Sequence, residues 1–379
     1  MISRTVLILS LVSFFTDISS EMLYPILPLY LKSIGFSIVW IGVLEGIAEA
    51  MAGLSKGYFG RVSDKIGKRL PFVQLGYALS AIAKPALVLI SHPIWILFSR
   101  SVERLGKGIR TGARDAMLSS ETSKENKAKI FGFHRGADTL GACLGPAIGL
   151  CYLYLYPEDY KNLFLYAFIP GILAIFFTFF LKERQTLSNH TKYQNSIAFL
   201  RESPNLYKKI LIGLVLFAIF NSSDVFLLLR IKESGLSDLE MILVYIFYNL
   251  IYAILAYPMG YIADRFGIKK TFVFGLFIFS LVYFGMSQKG SIIYYLFLFT
   301  GYSLYAASTE GIAKAWIANI CPRDTATAIG IYSGLVSIAL LFASSIAGFL
   351  WYQFGAESVF YFSSLGSLMI CIYFFRIEE

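Results

Sequence analysis

Twelve apolar runs, each long enough to cross a lipid bilayer as a helix, divide this chain and limit its fold more than any other feature. A spanning helix needs about 20 mainly apolar residues. Such runs lie roughly at residues 5–31, 39–60, 70–90, 94–113, 130–154, 162–181, 209–230, 239–260, 270–287, 291–316, 326–349 and 357–375. We therefore predict an all-α membrane protein. Its amino-terminal half is residues 1–181, its cytoplasmic central loop 182–208 and its carboxy-terminal half 209–379.

The composition excludes a water-soluble protein. Hydrophobic residues make up 57% of the chain and charged residues only 15%, which is too little polar surface to face water. The opening residues MISRTVLILSLVSFF could be taken for a signal peptide, but no small-residue cleavage site follows them. Because the apolar run continues through Tyr30, we expect these residues to form the first span, uncleaved.

The four cysteines show no spacing typical of a metal or redox site. They lie in apolar stretches or at their ends, at Cys143, Cys151, Cys321 and Cys371. Free cysteine packs as a small apolar residue in such surroundings. We expect packing roles for all four, with no metal and no cofactor.

One loop signature occurs twice, two hundred residues apart. GRVSDKIGKR begins at Gly60 and GYIADRFGIKK at Gly260, and both read G-x-x-x-D-[KR]-x-G-x-[KR] between two apolar runs. The repeat extends further, because Gly132 and Gly330 begin corresponding spans. Two similar halves of six spans place a cavity near the bilayer midplane, which is typical of transporters.

This doubled signature resembles the loops between helices 2 and 3 and between helices 8 and 9 of the major facilitator superfamily. The resemblance implies twelve transmembrane helices in two pseudo-symmetric six-helix halves, and transport by alternating access. It also implies a conformational latch that stabilises the outward-facing form, through an aspartate near a helix amino terminus and a neighbouring arginine. The matching residues are Gly60, Asp64, Gly67 and Arg69, with Asp264 as a weaker equivalent. The alternative is that the basic residues of these loops only fix the topology.

Basic residues between the spans fix the orientation, since lysine and arginine collect in cytoplasmic loops. With the amino terminus inside, few of them fall outside: Lys32, Lys161, Arg230, Lys232 and Lys289. Far more fall in inside segments, to which this topology assigns Arg114. We predict that both termini are cytoplasmic. The formal net charge of +9 is then largely topological, so it does not indicate nucleic-acid binding.

Sixteen charged residues lie within the predicted spans, where each is costly unless it faces protein or a wet cavity. The basic ones are Lys56, Lys84, Arg100, Arg104, Lys107, Arg110, Arg135 and Lys314. The acidic ones are Asp17, Glu21, Glu45, Glu49, Glu103, Asp138, Asp224 and Glu310. Such residues usually mark a transport pathway.

Spacing assigns roles to part of this set. Asp17 and Glu21 are four residues apart and therefore lie on one helix face. With Asp138 they are our candidates for proton coupling. The substrate-binding candidates are the stripe of Arg100, Arg104 and Lys107, together with Arg135. Helices 1, 4 and 5 line the cavity in the family that the chain resembles. The alternative is that these charges pair across helices as structural locks.

The run GACLGPAIG, from Gly141 to Gly149, resembles the G-x-x-x-G-P-x-x-G motif of drug–proton antiporters. The antiporter motif usually ends in a glycine pair, whereas Leu150 follows Gly149 here. Close helix packing by small residues is the other interpretation. Both remain open from the sequence.

No nucleotide-binding motif occurs, so an ion gradient must supply the energy. We predict a proton-coupled transporter of the inner membrane, not an enzyme, acting as a monomer. Because arginine grips carboxylates and phosphates bidentately, we favour a small anionic organic solute, such as a polycarboxylate or a siderophore of that type. The alternative is a drug–proton antiporter that exports hydrophobic compounds.

Overall fold

The computed structural model describes residues 2–24, 26–27, 30–31, 34–36, 38–183 and 196–377. The described part is helical throughout, with turns and short connections and no strand. The predicted all-α fold is confirmed. The side chains of Glu45 and Glu49 lie outside the described part of the chain.

Fifteen α-helices follow one another along the described residues. They are α1 (Arg4–Glu21), α2 (Ile38–Ile66), α3 (Leu70–Leu89), α4 (Pro93–Ser120), α5 (Lys127–Leu155), α6 (Tyr160–Tyr166), α7 (Phe168–Thr178), α8 (Ser196–Glu202), α9 (Asn205–Phe220), α10 (Val225–Glu233), α11 (Asp238–Phe266), α12 (Ile268–Met286), α13 (Ile292–Ile320), α14 (Thr325–Phe354) and α15 (Ala356–Arg376). A helix or a helix pair thus coincides with every predicted span.

Seven helical stretches of the described residues are long and apolar enough to cross a membrane by length and composition alone. The helix α4 is not among them, although it is 28 residues long, because charged residues recur along it. The count of twelve spans therefore rests on the family resemblance as much as on hydropathy. Charged helices of this kind must turn their polar side towards protein or water.

Two predicted spans are interrupted. Residues 162–181 form α6 and α7, which meet at Ala167. Residues 209–230 form α9 and α10, and the backbone from Asn221 to Asp224 between them is not helical. The run of small polar residues at this point, NSSD, is the local signal for the second interruption, because such side chains compete with the helix for backbone hydrogen bonds.

The structure corrects the loop assignments of Arg230 and Arg114. Arg230 was expected in an outside loop, but it is buried within α10 and forms ion pairs with Glu233 and Glu357.

Arg114 was expected in a cytoplasmic loop, but α4 continues to Ser120 and Arg114 is buried within it. Its guanidinium forms an ion pair with Asp115 at 2.9 Å and donates a hydrogen bond to the hydroxyl of Ser13 at 3.1 Å. These polar partners offset its desolvation, which is why the helix can extend past the apolar run.

The helices form two compact units. Unit 1 comprises the described residues of Met1–Thr122, Ala137–Phe199 and Pro322–Gly334. Unit 2 comprises Ser123–Gly136, the described residues of Leu200–Cys321, and those of Leu335–Glu379. Each unit thus takes one short segment from the other half of the sequence. The predicted boundaries of the two halves in the sequence, at residues 181 and 209, remain predictions.

In unit 1, α3 and α4 cross at a pair of glycines. A Cβ atom on Gly76 would lie 2.6 Å from the backbone oxygen of Gly106, and one on Gly106 would lie 2.6 Å from that of Gly76. No other residue type permits this approach without movement of backbone. The crossing brings the side chains of α4 against α3 and so positions the charged stripe of α4.

Candidate functional site: a charged cleft in unit 1

The charged stripe of α4 is the core of the site. Its members recur every three or four residues, which places them on one face of the helix. They are Arg100, Glu103, Arg104, Lys107 and Arg110. All but Lys107 are buried, and Lys107 is exposed. The apolar residues on the rest of α4 leave this face turned towards α1 and α3.

A narrow cleft opens along this stripe, with about 380 Å³ of space including the part that is open to solvent. Residues from three helices and the chain just after α1 line it. They are Asp17, Ser20, Glu21, Tyr24, Ser80, Arg100, Glu103, Arg104, Lys107 and Arg110. Four basic and three acidic side chains therefore face one small space, which carries a slight excess of positive charge.

Two of the arginines have identified partners within the unit. Arg100 forms an ion pair with Glu103, one helical turn away. Arg110 donates to the hydroxyl of Ser80, and its guanidinium lies 4.5 Å from the centre of the Tyr77 ring, within cation–π range. These contacts hold both guanidinium groups in place.

The three predicted proton-coupling carboxylates lie in the same unit. Asp17 and Glu21 line the cleft, and Asp17 interacts electrostatically with Asp138 and with Glu21. Asp138 accepts a hydrogen bond from Ser13, whose hydroxyl also accepts one from Arg114. The structure therefore places the three predicted proton-coupling carboxylates in one unit, and their roles remain proposals.

Lys84 and Arg114 also belong to this charged region. The sequence placed Lys84 among the charged residues of the spans without a specific role, and it assigned Arg114 to a loop. Lys84 is 1% exposed, and its amine has no hydrogen-bond partner among the described residues. Its largest favourable electrostatic interaction is with Glu103. A single lysine in the otherwise apolar run 70–90 was the available signal for Lys84. Arg114 was not considered as a site residue because the sequence analysis assigned it to a cytoplasmic loop.

Arg135 lies elsewhere. It belongs to unit 2, where it forms an ion pair with Glu310 and its Nε donates to the hydroxyl of Tyr252 at 2.8 Å. The side chains of Arg135 and Glu310 are 38% and 40% exposed, so this pair is not sealed inside the unit. Of the four predicted substrate-binding residues, the cleft of unit 1 contains Arg100, Arg104 and Lys107.

The first loop signature also has a defined geometry. Asp64 accepts hydrogen bonds from the backbone amide and the hydroxyl of Thr327, in the first turn of α14, at 2.7 and 2.9 Å. Arg69 lies 3.7 Å from the same carboxylate. A Cβ atom on Gly60 would clash with the backbone oxygen of Ala326, and Gly67 has φ of +71°, a conformation that favours glycine.

The second signature repeats this arrangement in unit 2. Asp264 accepts hydrogen bonds from the backbone amides of Ala128 and Lys129, in the first turn of α5, at 3.0 and 2.8 Å. Gly260 lies against the backbone of Ala128, as Gly60 lies against that of Ala326. Both aspartates therefore satisfy amides that a helix amino terminus leaves without partners.

The glycines of GACLGPAIG pack against α1. Cβ atoms on Gly141 and Gly145 would lie 2.5 Å from the backbone oxygen of Phe14 and 2.7 Å from the backbone nitrogen of Met22. This contact is the close packing that one interpretation of the motif predicts. It holds α1, with Asp17 and Glu21, against α5.

The chemistry available in the cleft is anion binding and proton exchange. Arginine and lysine side chains can hold carboxylates or phosphates, and carboxylates that share a space with them can gain or lose protons. Among the described residues there is no group of three or more His, Cys, Asp or Glu side chains suited to a metal ion.

Comparison with known proteins gives consistent matches over the whole chain. Residues 9–247 and 210–379 match the Major Facilitator Superfamily. An uncharacterised MFS-type transporter of Methanocaldococcus jannaschii is 33% identical over 378 residues, covering 96% of this chain and 92% of that protein. The multi-drug resistance efflux pump PmrA of Streptococcus pneumoniae is 23% identical over 388 residues, covering 95% and 92%. The human organic anion transporter MFSD10 has the same fold, with a TM-score of 0.80 at 16% identity and coverage of 98% and 99%.

Proposed function

This chain belongs to the Major Facilitator Superfamily, and we propose that it moves a small anionic organic solute across the inner membrane by alternating access, coupled to protons. Family membership makes it a multi-span membrane transporter and not an enzyme. In the orientation that we propose, both termini are cytoplasmic.

The observation that carries the proposal is the cationic side of the cleft in unit 1. Glu103 already neutralises Arg100, whereas Arg104, Lys107 and Arg110 face only two further carboxylates within the cleft lining. An anion that entered would meet an excess of positive charge. Arg104 is buried and Lys107 is exposed, so the two could receive one ligand from the inner and outer ends of the cleft.

Proton coupling follows from competition for the same cations. Glu21 interacts electrostatically with Lys107 and Arg104, the two groups that we assign to the substrate. When Glu21 is ionised it occupies them, and when it is protonated it releases them. Uptake of a proton would therefore raise the affinity for an anion, and the two would travel together.

The number of cations favours a substrate with more than one negative charge. A polycarboxylate, or a siderophore built from carboxylates, could engage Arg104 with two parallel hydrogen bonds and Lys107 with a second group. The cleft is narrow, with about 380 Å³ of space that includes the part open to solvent, which favours a small solute.

The test is a thermal-shift screen on the purified protein with three probes: citrate, a hexose phosphate and tetraphenylphosphonium. We expect citrate to raise the melting temperature, and to do so more strongly at lower pH. Stabilisation by tetraphenylphosphonium alone would contradict the anionic assignment.

Drug efflux by proton antiport is the second candidate. Its support is the full-length similarity to PmrA, a multi-drug resistance efflux pump, at an identity of 23%. In that case, hydrophobic cations would be expelled as protons enter. The cations and the protons would compete for the carboxylates of Asp17 and Glu21, and Arg104 would bind no anionic substrate. Raising the pH would then strengthen cation binding, the opposite of the dependence expected for citrate.

A further inference from the structure

The seventh predicted span contains a break that the cleft in unit 1 does not explain. The helix α9 ends at Phe220 and α10 begins at Val225, so four residues near the middle of an apolar run have non-helical backbone. Non-helical backbone at membrane depth is tolerated where it is buried in protein or lines a cavity. Broken helices of this kind supply carbonyl oxygens and helix ends for ion sites.

Asp224 occupies the N-cap position of α10 but does not cap it. Its side chain makes no capping hydrogen bond, although aspartate is among the residues that do this best. Its carboxylate instead accepts a hydrogen bond from the hydroxyl of Tyr302, at 2.6 Å. The fold has therefore turned this carboxylate away from its local partner and into unit 2.

The surroundings of Asp224 are rich in oxygen and poor in positive charge. No ion pair to Asp224 is present among the described residues. The Oδ1 atom of Asn221 is buried and accepts no hydrogen bond from the described residues, while its amide donates to the hydroxyl of Tyr305 at 3.1 Å. Ser222 is also buried.

The groups that face Asp224 come from four helices. Tyr248 from α11, Tyr283 from α12 and Tyr302 from α13 are neutral phenols that interact with it. The charged groups that interact with it are Glu310 and Arg135, which form an ion pair with each other. The site as a whole therefore holds one negative charge without a dedicated cation, in a setting where an unpaired charge is costly.

We propose that the break between α9 and α10 binds one monovalent cation, H⁺ or Na⁺, with Asp224 as its anionic ligand and the Tyr302 hydroxyl as a hydrogen-bond donor that competes with the cation for this carboxylate. A small cation neutralises the carboxylate and is coordinated by side-chain oxygens of Asn221 and Ser222. An ion of this size needs no large cavity. The proposal depends on this site alone, and neither the charge of the substrate nor the roles of Asp17 and Glu21 enters it.

Two measurements on the purified full-length protein distinguish the two cations. Thermal unfolding at pH 8.5 is followed as NaCl replaces choline chloride at constant ionic strength. Infrared spectra in sodium-free buffer follow the carbonyl band of protonated carboxyl groups from pH 9 to pH 4. We expect either a sodium-specific rise in melting temperature or a titrating component of this band, and we expect that response to be missing in Asp224→Asn.

Tyr302→Phe keeps the proposal testable if the Asp224 variant does not fold. Because the phenol competes with the cation for the carboxylate, its loss should lower the half-saturating cation concentration about tenfold. Tyr295→Phe is the matched control, since Tyr295 is equally buried in α13 but contacts Ser234 instead. It should leave the cation response unchanged.

The proposal is overturned if the parent protein shows neither response, or if the response that the parent shows persists in Asp224→Asn. It is also overturned if Tyr302→Phe and Tyr295→Phe behave alike. Failure of the citrate screen leaves these readouts untouched, so the two proposals can fail separately.

Discussion

The carboxylate of Asp64 accepts two hydrogen bonds from Thr327, one from its backbone amide at 2.7 Å and one from its hydroxyl at 2.9 Å. Asp264 does the same for the first turn of α5, through Ala128 and Lys129. Each copy of the loop signature thus ties its aspartate to the amino terminus of a helix that is distant in sequence.

Replacement of Asp64 by asparagine should weaken the latch while the hydrogen-bond acceptor remains. Loss of a carboxylate at a helix amino terminus costs about 1 kcal/mol, which is about a fivefold change in the ratio of two conformations. We expect a shift towards the inward-facing form. Thiol labelling of Tyr24→Cys, in a background without the four native cysteines, measures it from the outer side, and unchanged labelling would remove the latch assignment.

Replacement of Asp17 or Glu21 by its amide should abolish uphill transport. Both side chains line the cleft beside Arg104 and Lys107, so the amides remove the proton-binding groups without emptying the space. Proteoliposomes should still exchange substrate across the membrane at equal concentrations, and lose accumulation under a proton gradient. If both variants accumulate substrate as the parent does, the coupling group lies elsewhere.

Replacement of Arg104 by lysine should weaken substrate binding by about tenfold or more, with normal thermal stability. Lysine keeps the charge but lacks the planar fork, and a charge-assisted pair contributes roughly 1.5–3 kcal/mol. Arg135→Lys is the control, because Arg135 lies in unit 2 on Glu310 and Tyr252. Equal losses in both variants would contradict the assignment of the substrate to the unit 1 cleft.

Replacement of Gly76 by alanine should destabilise the protein by about 1–3 kcal/mol, because the added methyl group overpacks the crossing of α3 and α4. Gly348→Ala is the matched change, in the interior of α14, where the nearest atom to an added Cβ is 4.0 Å away. Alanine should be neutral or stabilising there. Thermal unfolding of the two variants in the same detergent gives the comparison.

The architecture could be predicted because lipid leaves few choices. Because the backbone polar groups of a spanning helix are satisfied within the helix itself, a long apolar run in a membrane protein predicts a helix. The doubled loop signature then indicated the family. The helix α4 was placed correctly despite its charges, but its end was set at 113 because Arg114 looked like a loop residue, and only the contacts to Ser13 and Asp115 explain its burial.

The site could be predicted only in part. Helical spacing grouped Asp17 with Glu21 and Arg100 with Arg104 and Lys107, because it decides which side chains share a face. The structure places all five in one cleft, and their roles remain predictions. Arg135 was grouped with them because it lies three residues before Asp138, but spacing along one helix does not determine which neighbour that face meets. Its partners Tyr252 and Glu310 are more than one hundred residues away, and no local pattern encodes that pairing.

The segment Pro322–Gly334 completes unit 1 and is also among the last parts of that unit to be synthesised. Thr327 follows Asp64 by 263 residues. At roughly 5–20 residues per second, the ribosome delivers it roughly 13–50 s later. During that interval the nascent chain holds Asp64 without its final partner, so unit 1 cannot complete this contact until Thr327 has been synthesised.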